Sequence, residues 1–163
     1  MKRTCFLMLF MANLCLNIPA HAASYRTIEW KDLIPADAAQ EVRTGTVQHD
    51  QISPDFQAPA DIPVVQALDQ QKIKMAGFAV PLEGDDNGIT EFLLVPYMGA
   101  CIHVPPPPVN QIVYVKAKNP LPVDLIYDAF WVEGTMKVET VSSQYTDAGY
   151  SLSAEGFEEY QYQ

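Results

Sequence analysis

The sequence predicts a mainly β protein: a small five-stranded barrel of the OB type, with an N-terminal arm and one or two short helices. Thirteen Pro, eight Gly and eight Tyr favour strands and turns over long helices. Beyond residue 71 apolar and polar side chains alternate with a period of two, which is typical of strands. Three strands, a short helix and two more strands follow in the order of an OB barrel. A small antiparallel sandwich is the alternative, because it uses the same strands and closes them differently.

Each barrel element has its own signal in the sequence. Gly77 allows the first strand to bend sharply, so that it can belong to both halves of the barrel, and Gly134 would also have a role in such a barrel. Asn87-Gly88 predicts a hairpin turn after the first strand. We predict a short helix within 122–129 and strands at 72–82, 91–97, 111–116, 130–140 and 150–160.

The first 22 residues are typical of a secretory signal. Lys2 and Arg3 precede an almost continuous apolar run over 5–18, and Ala20-His21-Ala22 provides small residues for a signal peptidase. The run of about 14 residues is shorter than the roughly 17 to 25 that cross a bilayer as a helix. We therefore expect cleavage after Ala22 and a periplasmic protein that has no membrane anchor after cleavage.

Residues 23–71 are predicted to form an arm that wraps the barrel of residues 72–163. Trp30 is expected to be buried and to pin this arm. Asp61 is a candidate cap for a short helix that begins at Pro63, because Asp accepts first-turn N–H bonds and Pro suits the first helical position.

The charge of the chain excludes one class of function. The formal net charge is -10, and removal of Lys2 and Arg3 with the signal would leave eight basic and twenty acidic side chains, a charge near -12. Phosphate neutralisation needs clustered Lys and Arg, so nucleic acid is not an expected partner.

Cleavage would also leave Cys101 as the only cysteine, with His49 and His103 as the only histidines. In an extended backbone, residues i and i+2 share a face, so Cys101 and His103 can converge. Thiolate and imidazole are ligands that zinc prefers, and Pro105 to Pro108 would frame a site stiffly. We predict that Cys101 and His103 bind a divalent transition metal, zinc first. His49 is a further candidate, and the carboxylates nearest in sequence are Glu83, Asp85, Asp86 and Glu91.

Two other interpretations of the Cys101–His103 motif stay open. Free cysteine is often buried, so Cys101 and His103 can be structural residues of a scaffold that binds a protein partner without metal. Alternatively, His103 could hold Cys101 as a thiolate nucleophile, but no Asn or Asp can be assigned to orient the imidazole. We therefore expect no enzymatic activity and assign no catalytic residues.

Four strings of residues resemble a family of bacterial exported proteins called domain of unknown function 3299: residues 77–83, 91–97, 99–104 and 110–115. Trp30 with 32–35 upstream and 131–135 downstream extend the resemblance over nearly the whole mature chain. The resemblance implies a periplasmic accessory protein, in some members encoded beside ABC transporter components in zinc-responsive gene clusters. It implies an inner-membrane ABC transporter component as a possible partner and Cys101 with His103 as the first candidates for a metal site. One departure from the family pattern is Gln70-Gln71, where a glycine is expected in the turn before the first barrel strand.

Overall fold

The computed structural model describes residues 24–38, 63–100 and 107–162, and the predicted signal peptide lies outside these ranges. Strands and short 3-10 helices make up the described part. None of its helices is long and apolar enough to cross a membrane. The strands are β1 Arg26–Thr27, β2 Lys72–Asp85, β3 Gly88–Val95, β4 Val113–Leu121, β5 Phe130–Lys137, β6 Val141–Ser142, β7 Asp147–Ala148 and β8 Tyr150–Glu159. The 3-10 helices are Trp30–Leu33, Gln66–Leu68, Val109–Gln111 and Val123–Tyr127.

Five of the strands close into a barrel. Their order is β2-β3-β4-β8-β5, and β5 pairs back onto β2. The β4–β8 pair is parallel, whereas the other barrel pairs are antiparallel. The predicted OB-like barrel is therefore confirmed, and the sandwich alternative is wrong because the last strand of this order, β5, pairs with both β8 and β2 and so closes the ring.

Strand β2 belongs to both halves of the barrel, and the change takes place at Gly77. Residues up to Gly77 pair with β5, and residues from Phe78 onward pair with β3. A Cβ at position 77 would lie 2.9 Å from the Trp30 ring and 2.9 Å from the Val95 carbonyl oxygen. Glycine is required here because the bend brings the strand against both groups, which confirms the predicted bend.

The barrel interior is filled by the side chains that alternate inward along the strands. Phe92, Phe130 and Phe157 form a triangle with ring centroids 5.9 to 6.1 Å apart. Edge-on contacts of this kind add to the stabilisation from burial itself. Phe157 is half-buried, whereas Phe92 and Phe130 are fully buried, as are Leu33, Ile73, Met75, Leu94, Val113, Val115, Leu121, Val132, Met136 and Tyr150.

Some predicted boundaries differ from the structure. The third barrel strand begins at Val113 instead of Gln111, because a 3-10 turn over Val109–Gln111 follows Pro108. The predicted helices are single 3-10 turns, Gln66–Leu68 and Val123–Tyr127. The proposed cap Asp61 lies outside the described residues.

The N-terminal arm is pinned to the barrel by hydrogen bonds. The Trp30 indole Nε1 donates to the Ala76 carbonyl oxygen at 2.8 Å, and the Gln111 Nε2 donates to the Trp30 carbonyl oxygen at 2.9 Å. Strand β1 adds to β2 in parallel. Ile28 and Leu33 are the arm residues that are buried in the core. Trp30 pins the arm through its hydrogen bonds, but it is half-buried, whereas the sequence predicted a buried side chain.

The turn before β2 adopts the conformation for which glycine was expected. Gln70 has a φ of 58°, in the left-handed region that disfavours side chains with a Cβ. Two hydrogen bonds hold this turn: the Gln71 N–H donates to the Leu68 carbonyl, and the Met136 N–H donates to the Gln71 carbonyl. The barrel contacts therefore impose the backbone conformation on Gln70.

Candidate functional site

A second apolar cluster lies outside the barrel, on strands β2, β3 and β4. Leu93 and Val95 belong to it, and they alternate along β3 with Phe92 and Leu94, which face the interior. We call this surface the outer face. Its buried members are Val80, Leu93, Val95, Ala100, Ile112 and Ala148, and the half-buried Phe78, Leu82 and Tyr114 pack against them.

The chain on either side of the Cys-x-His motif is anchored at buried positions. Ala100 is fully buried in the cluster of the outer face, where Ala148 also packs. The description resumes at Pro107, which is buried as well. Cys101 and His103 lie between these two anchors, outside the described residues, as does His49. The prediction that these residues bind a metal therefore stays untested. Ala100, the residue that precedes Cys101 in the sequence, belongs to the outer face.

A row of charged side chains lies next to the apolar part of the outer face, across strands β2, β3 and β4. Glu83 on β2 is directly opposite Glu91 on β3, and Glu91 is opposite Lys116 on β4. The Lys116 ammonium lies 2.9 Å from a Glu91 carboxylate oxygen. Tyr114 reaches the same carboxylate and donates its hydroxyl to the other oxygen. Glu91 is thus held by a phenol and an ammonium from the neighbouring strand.

These contacts determine the protonation states of Glu91 and Tyr114 at neutral pH. The Tyr114 hydrogen bond and the Lys116 ammonium lower the pKa of Glu91. Burial and the Glu91 carboxylate raise the pKa of Tyr114 to about 12. At neutral pH Glu91 is therefore an ionised acceptor and Tyr114 a protonated donor. The pair is suited to holding a cation or a hydrogen-bond donor and is poorly suited to general acid–base catalysis.

Replacement of Tyr114 by Phe is expected to raise the pKa of Glu91. Because the folded-state pKa of Glu91 is lowered, its stabilising contribution is present above the unfolded value near 4.5 and is lost as the pH falls through the folded value. An NMR titration of glutamate side-chain carbonyls measures the pKa directly. Tyr127→Phe, at an exposed tyrosine, is the control. An unchanged Glu91 titration in Tyr114→Phe would contradict the hydrogen bond.

The carboxylates of the outer face do not complete a metal site by themselves. Within residues 24–38, 63–100 and 107–162, no group of three or more His, Cys, Asp or Glu side chains could hold a metal ion. Asp85 accepts the Asn87 N–H at 2.8 Å and serves the hairpin turn. Glu83 and Asp85 line an open groove beside Leu82 and Thr90. Of the four carboxylates nearest to the motif in sequence, Glu83 and Glu91 are therefore the two that lie together on a strand surface.

Comparison with known proteins places the chain in a family. The profile of the protein family of unknown function DUF3299 matches residues 30–159. The chain belongs to the DUF3299 family. A crystal structure of a DUF3299 protein from Pseudomonas aeruginosa PAO1 is 44% identical and superimposes with a TM-score of 0.68, covering 86% of this chain and 99% of the other. No curated protein matches the chain.

Membership of DUF3299 confirms the resemblance drawn from the sequence strings. The matched range begins at Trp30, the residue that pins the arm, and ends at Glu159, the last residue of β8. The arm and the barrel are thus both part of the family domain. The function of DUF3299 is not established, so the role of this chain is argued below from its own residues.

Proposed function

We propose that this DUF3299 protein is a periplasmic accessory protein that binds a divalent transition metal, zinc first, and serves an envelope ABC-type transport system. Cys101 and His103 are the proposed ligands, with His49 as a further candidate. The family resemblance suggests the periplasm and the transporter, and the signal-like residues 1–22 support the same compartment.

One observation carries the metal proposal: the motif starts directly after Ala100, which is fully buried in the apolar cluster of the outer face. A Cys-x-His pair that directly follows a buried residue loses less conformational freedom on binding an ion than a pair in a flexible loop would. The ionised Glu91 and the carboxylate of Glu83 also lie on the outer face. Along β3, Glu91 is two outward-facing positions away from Val95. Both carboxylates are candidates for a further oxygen ligand.

Equilibrium zinc titration of the mature chain tests this proposal. We expect one tightly bound zinc ion per chain, and a loss of affinity of at least about tenfold in Cys101→Ala and in His103→Ala. Cysteine and histidine must lose protons to bind zinc, so affinity should weaken as the pH falls through the imidazole range near 6.5. His49→Ala and Glu91→Gln test the remaining ligands.

The control is Asp124→Asn, an exposed carboxylate in the 3-10 helix before β5. It removes one negative charge and should leave zinc affinity unchanged. Molar mass measured with and without zinc separates a site within one chain from an ion shared by two copies. Equal stoichiometry and affinity in the parent chain, Cys101→Ala and His103→Ala would end the metal proposal at this motif.

A metal-free partner-binding scaffold is the second candidate, and one observation favours it. Tyr97 and Met98, in the segment from β3 to Ala100, are 39% and 59% exposed. Exposed aromatic and methionine side chains are enriched at protein interfaces. If this is the function, we expect the chain to bind no zinc in the titration. We also expect Met98→Ser to weaken association with the transport partner without changing the stability of the barrel.

A further inference from the structure

Three aromatic rings form a row on the outside of the barrel, beside β5 and β8, in which the middle ring contacts each of the other two. The Trp131 and Tyr160 ring centroids are 5.4 Å apart with planes inclined by 32°. The Tyr160 and Tyr162 centroids are 5.2 Å apart, edge to face. Tyr162 is 68% exposed. We call these three residues the aromatic surface. It shares no residue with the outer face or with the Cys-x-His motif.

Charged groups adjoin the aromatic surface, and carboxylates are in excess. The Lys74 ammonium lies 2.6 Å from Glu158 and 3.1 Å from Glu133, and it stands 5.6 Å from the centroid of the Trp131 ring. Two carboxylates thus face a single ammonium. The Glu158 side chain is 60% exposed, so part of this carboxylate remains accessible to a second cation.

This combination of groups selects the charge of a ligand. An aromatic face and nearby carboxylates attract cations, and Lys74 shows that this surface already holds one. An anionic ligand would meet the excess carboxylate and a chain of net charge -10. Among cationic side chains, arginine fits best, because its planar guanidinium stacks on aromatic rings and forms forked hydrogen bonds with carboxylates.

We propose that the aromatic surface, together with Glu158, binds an arginine-bearing segment of a partner polypeptide. The guanidinium stacks on the exposed ring of Tyr162 and pairs with Glu158, while Lys74 keeps its place over Trp131. This interaction goes beyond the metal-binding function and does not depend on it, since the two use different residues.

NMR titration of the isotope-labelled mature chain tests the interaction. The probe is an acetylated, amidated peptide of four Gly-Arg repeats, and the control peptide carries citrulline, an uncharged isostere, in place of arginine. We expect the arginine peptide to shift the Trp131 indole signal. The Trp30 indole donates to the Ala76 carbonyl and serves as an internal reference that should not move. The citrulline peptide should bind at least about fivefold more weakly.

Matched variants separate a specific site from general attraction to an acidic chain. Glu158→Gln and Tyr162→Ser should each weaken the arginine peptide about fivefold. Asp86→Asn, in the turn between β2 and β3, removes the same charge as Glu158→Gln and should leave the affinity within about twofold. Both Glu158 and Tyr162 are exposed, so these variants should fold, and thermal unfolding verifies that they do.

Three results would overturn the proposal. Equal binding of the arginine and citrulline peptides would mean that charge does not select the ligand. Equal weakening by Glu158→Gln and Asp86→Asn would mean that the acidic chain attracts cations without a site. A stationary Trp131 indole signal at millimolar arginine peptide would mean that the aromatic surface does not take part. A zinc result of either sign leaves these outcomes unaffected.

Discussion

Tyr150→Phe is expected to lower the free energy of unfolding by about 2 to 4 kcal/mol. The Tyr150 hydroxyl donates to the Leu33 carbonyl oxygen at 2.7 Å and accepts the Val65 N–H at 2.7 Å. A single buried oxygen therefore joins the N-terminal arm and the segment before β2 to the first residue of β8. Phenylalanine keeps the ring and leaves both backbone groups without this partner, and an unsatisfied buried polar group costs about 1 to 3 kcal/mol.

Urea unfolding measures this loss, and Tyr145→Phe is the matched control. Tyr145 lies between β6 and β7 and is 52% exposed, so loss of its hydroxyl should change the stability by less than about 0.5 kcal/mol. Equal midpoints for the two variants would show that the Tyr150 hydroxyl does not hold the arm. Faster proteolysis of the arm in Tyr150→Phe, below the unfolding midpoint, would show that the joint opens locally first.

Gly134→Ala is expected to destabilise the barrel by about 3 kcal/mol or more. A Cβ at position 134 would lie 2.3 Å from the Ser153 carbonyl oxygen and 2.9 Å from the Ser153 carbonyl carbon, closer than a real Cβ approaches such atoms. Both neighbours are backbone atoms of β8, so no side-chain rotation can relieve the contact. The close approach coincides with a bulge, since Glu133 pairs with Gly156 while Gly134 pairs with Ala154.

Gly156→Ala is the control within the same bulge. A Cβ there would meet only the Glu133 carboxylate, at 3.8 Å, which is an ordinary contact. The alanine should be neutral or stabilising by up to about 1 kcal/mol, because it reduces the freedom of the unfolded chain. Thermal unfolding of the two variants side by side measures the difference. Similar melting temperatures for both would contradict the close approach of β5 and β8 at Gly134.

The bulge also shows why some contacts could not be read from the sequence. Glu155 is the extra residue on β8, and its carboxylate accepts the Tyr25 hydroxyl at 2.6 Å and the Lys118 ammonium at 3.2 Å. Tyr25 is 130 positions away along the chain. Alternation predicts which residues of a strand face outward, but the register of one strand against another determines which of them meet.

The candidate sites also show which features the sequence predicts and which depend on the register of the strands. The sequence predicted Cys101 and His103 from their residue types and spacing, and that prediction stays untested because both lie outside the described residues. It could not choose among the nearby carboxylates, because pairing Glu83 with Glu91 and placing Tyr114 over Glu91 depend on the register of three strands. The aromatic surface was missed for the same reason: Trp131 and Tyr160 meet across the β5–β8 pair.

By itself, the sequence determined the class of fold, the order of the barrel strands and the bend at Gly77. These properties follow from local alternation, turn chemistry and the conformational freedom of glycine, which neighbouring residues express directly. Only the tertiary structure decided that Tyr150 joins the arm to the barrel, that Gly134 has no room for a methyl group and that Glu91 is held ionised. Each of these depends on atoms from distant segments that come together when the barrel closes, and local patterns do not encode such distances.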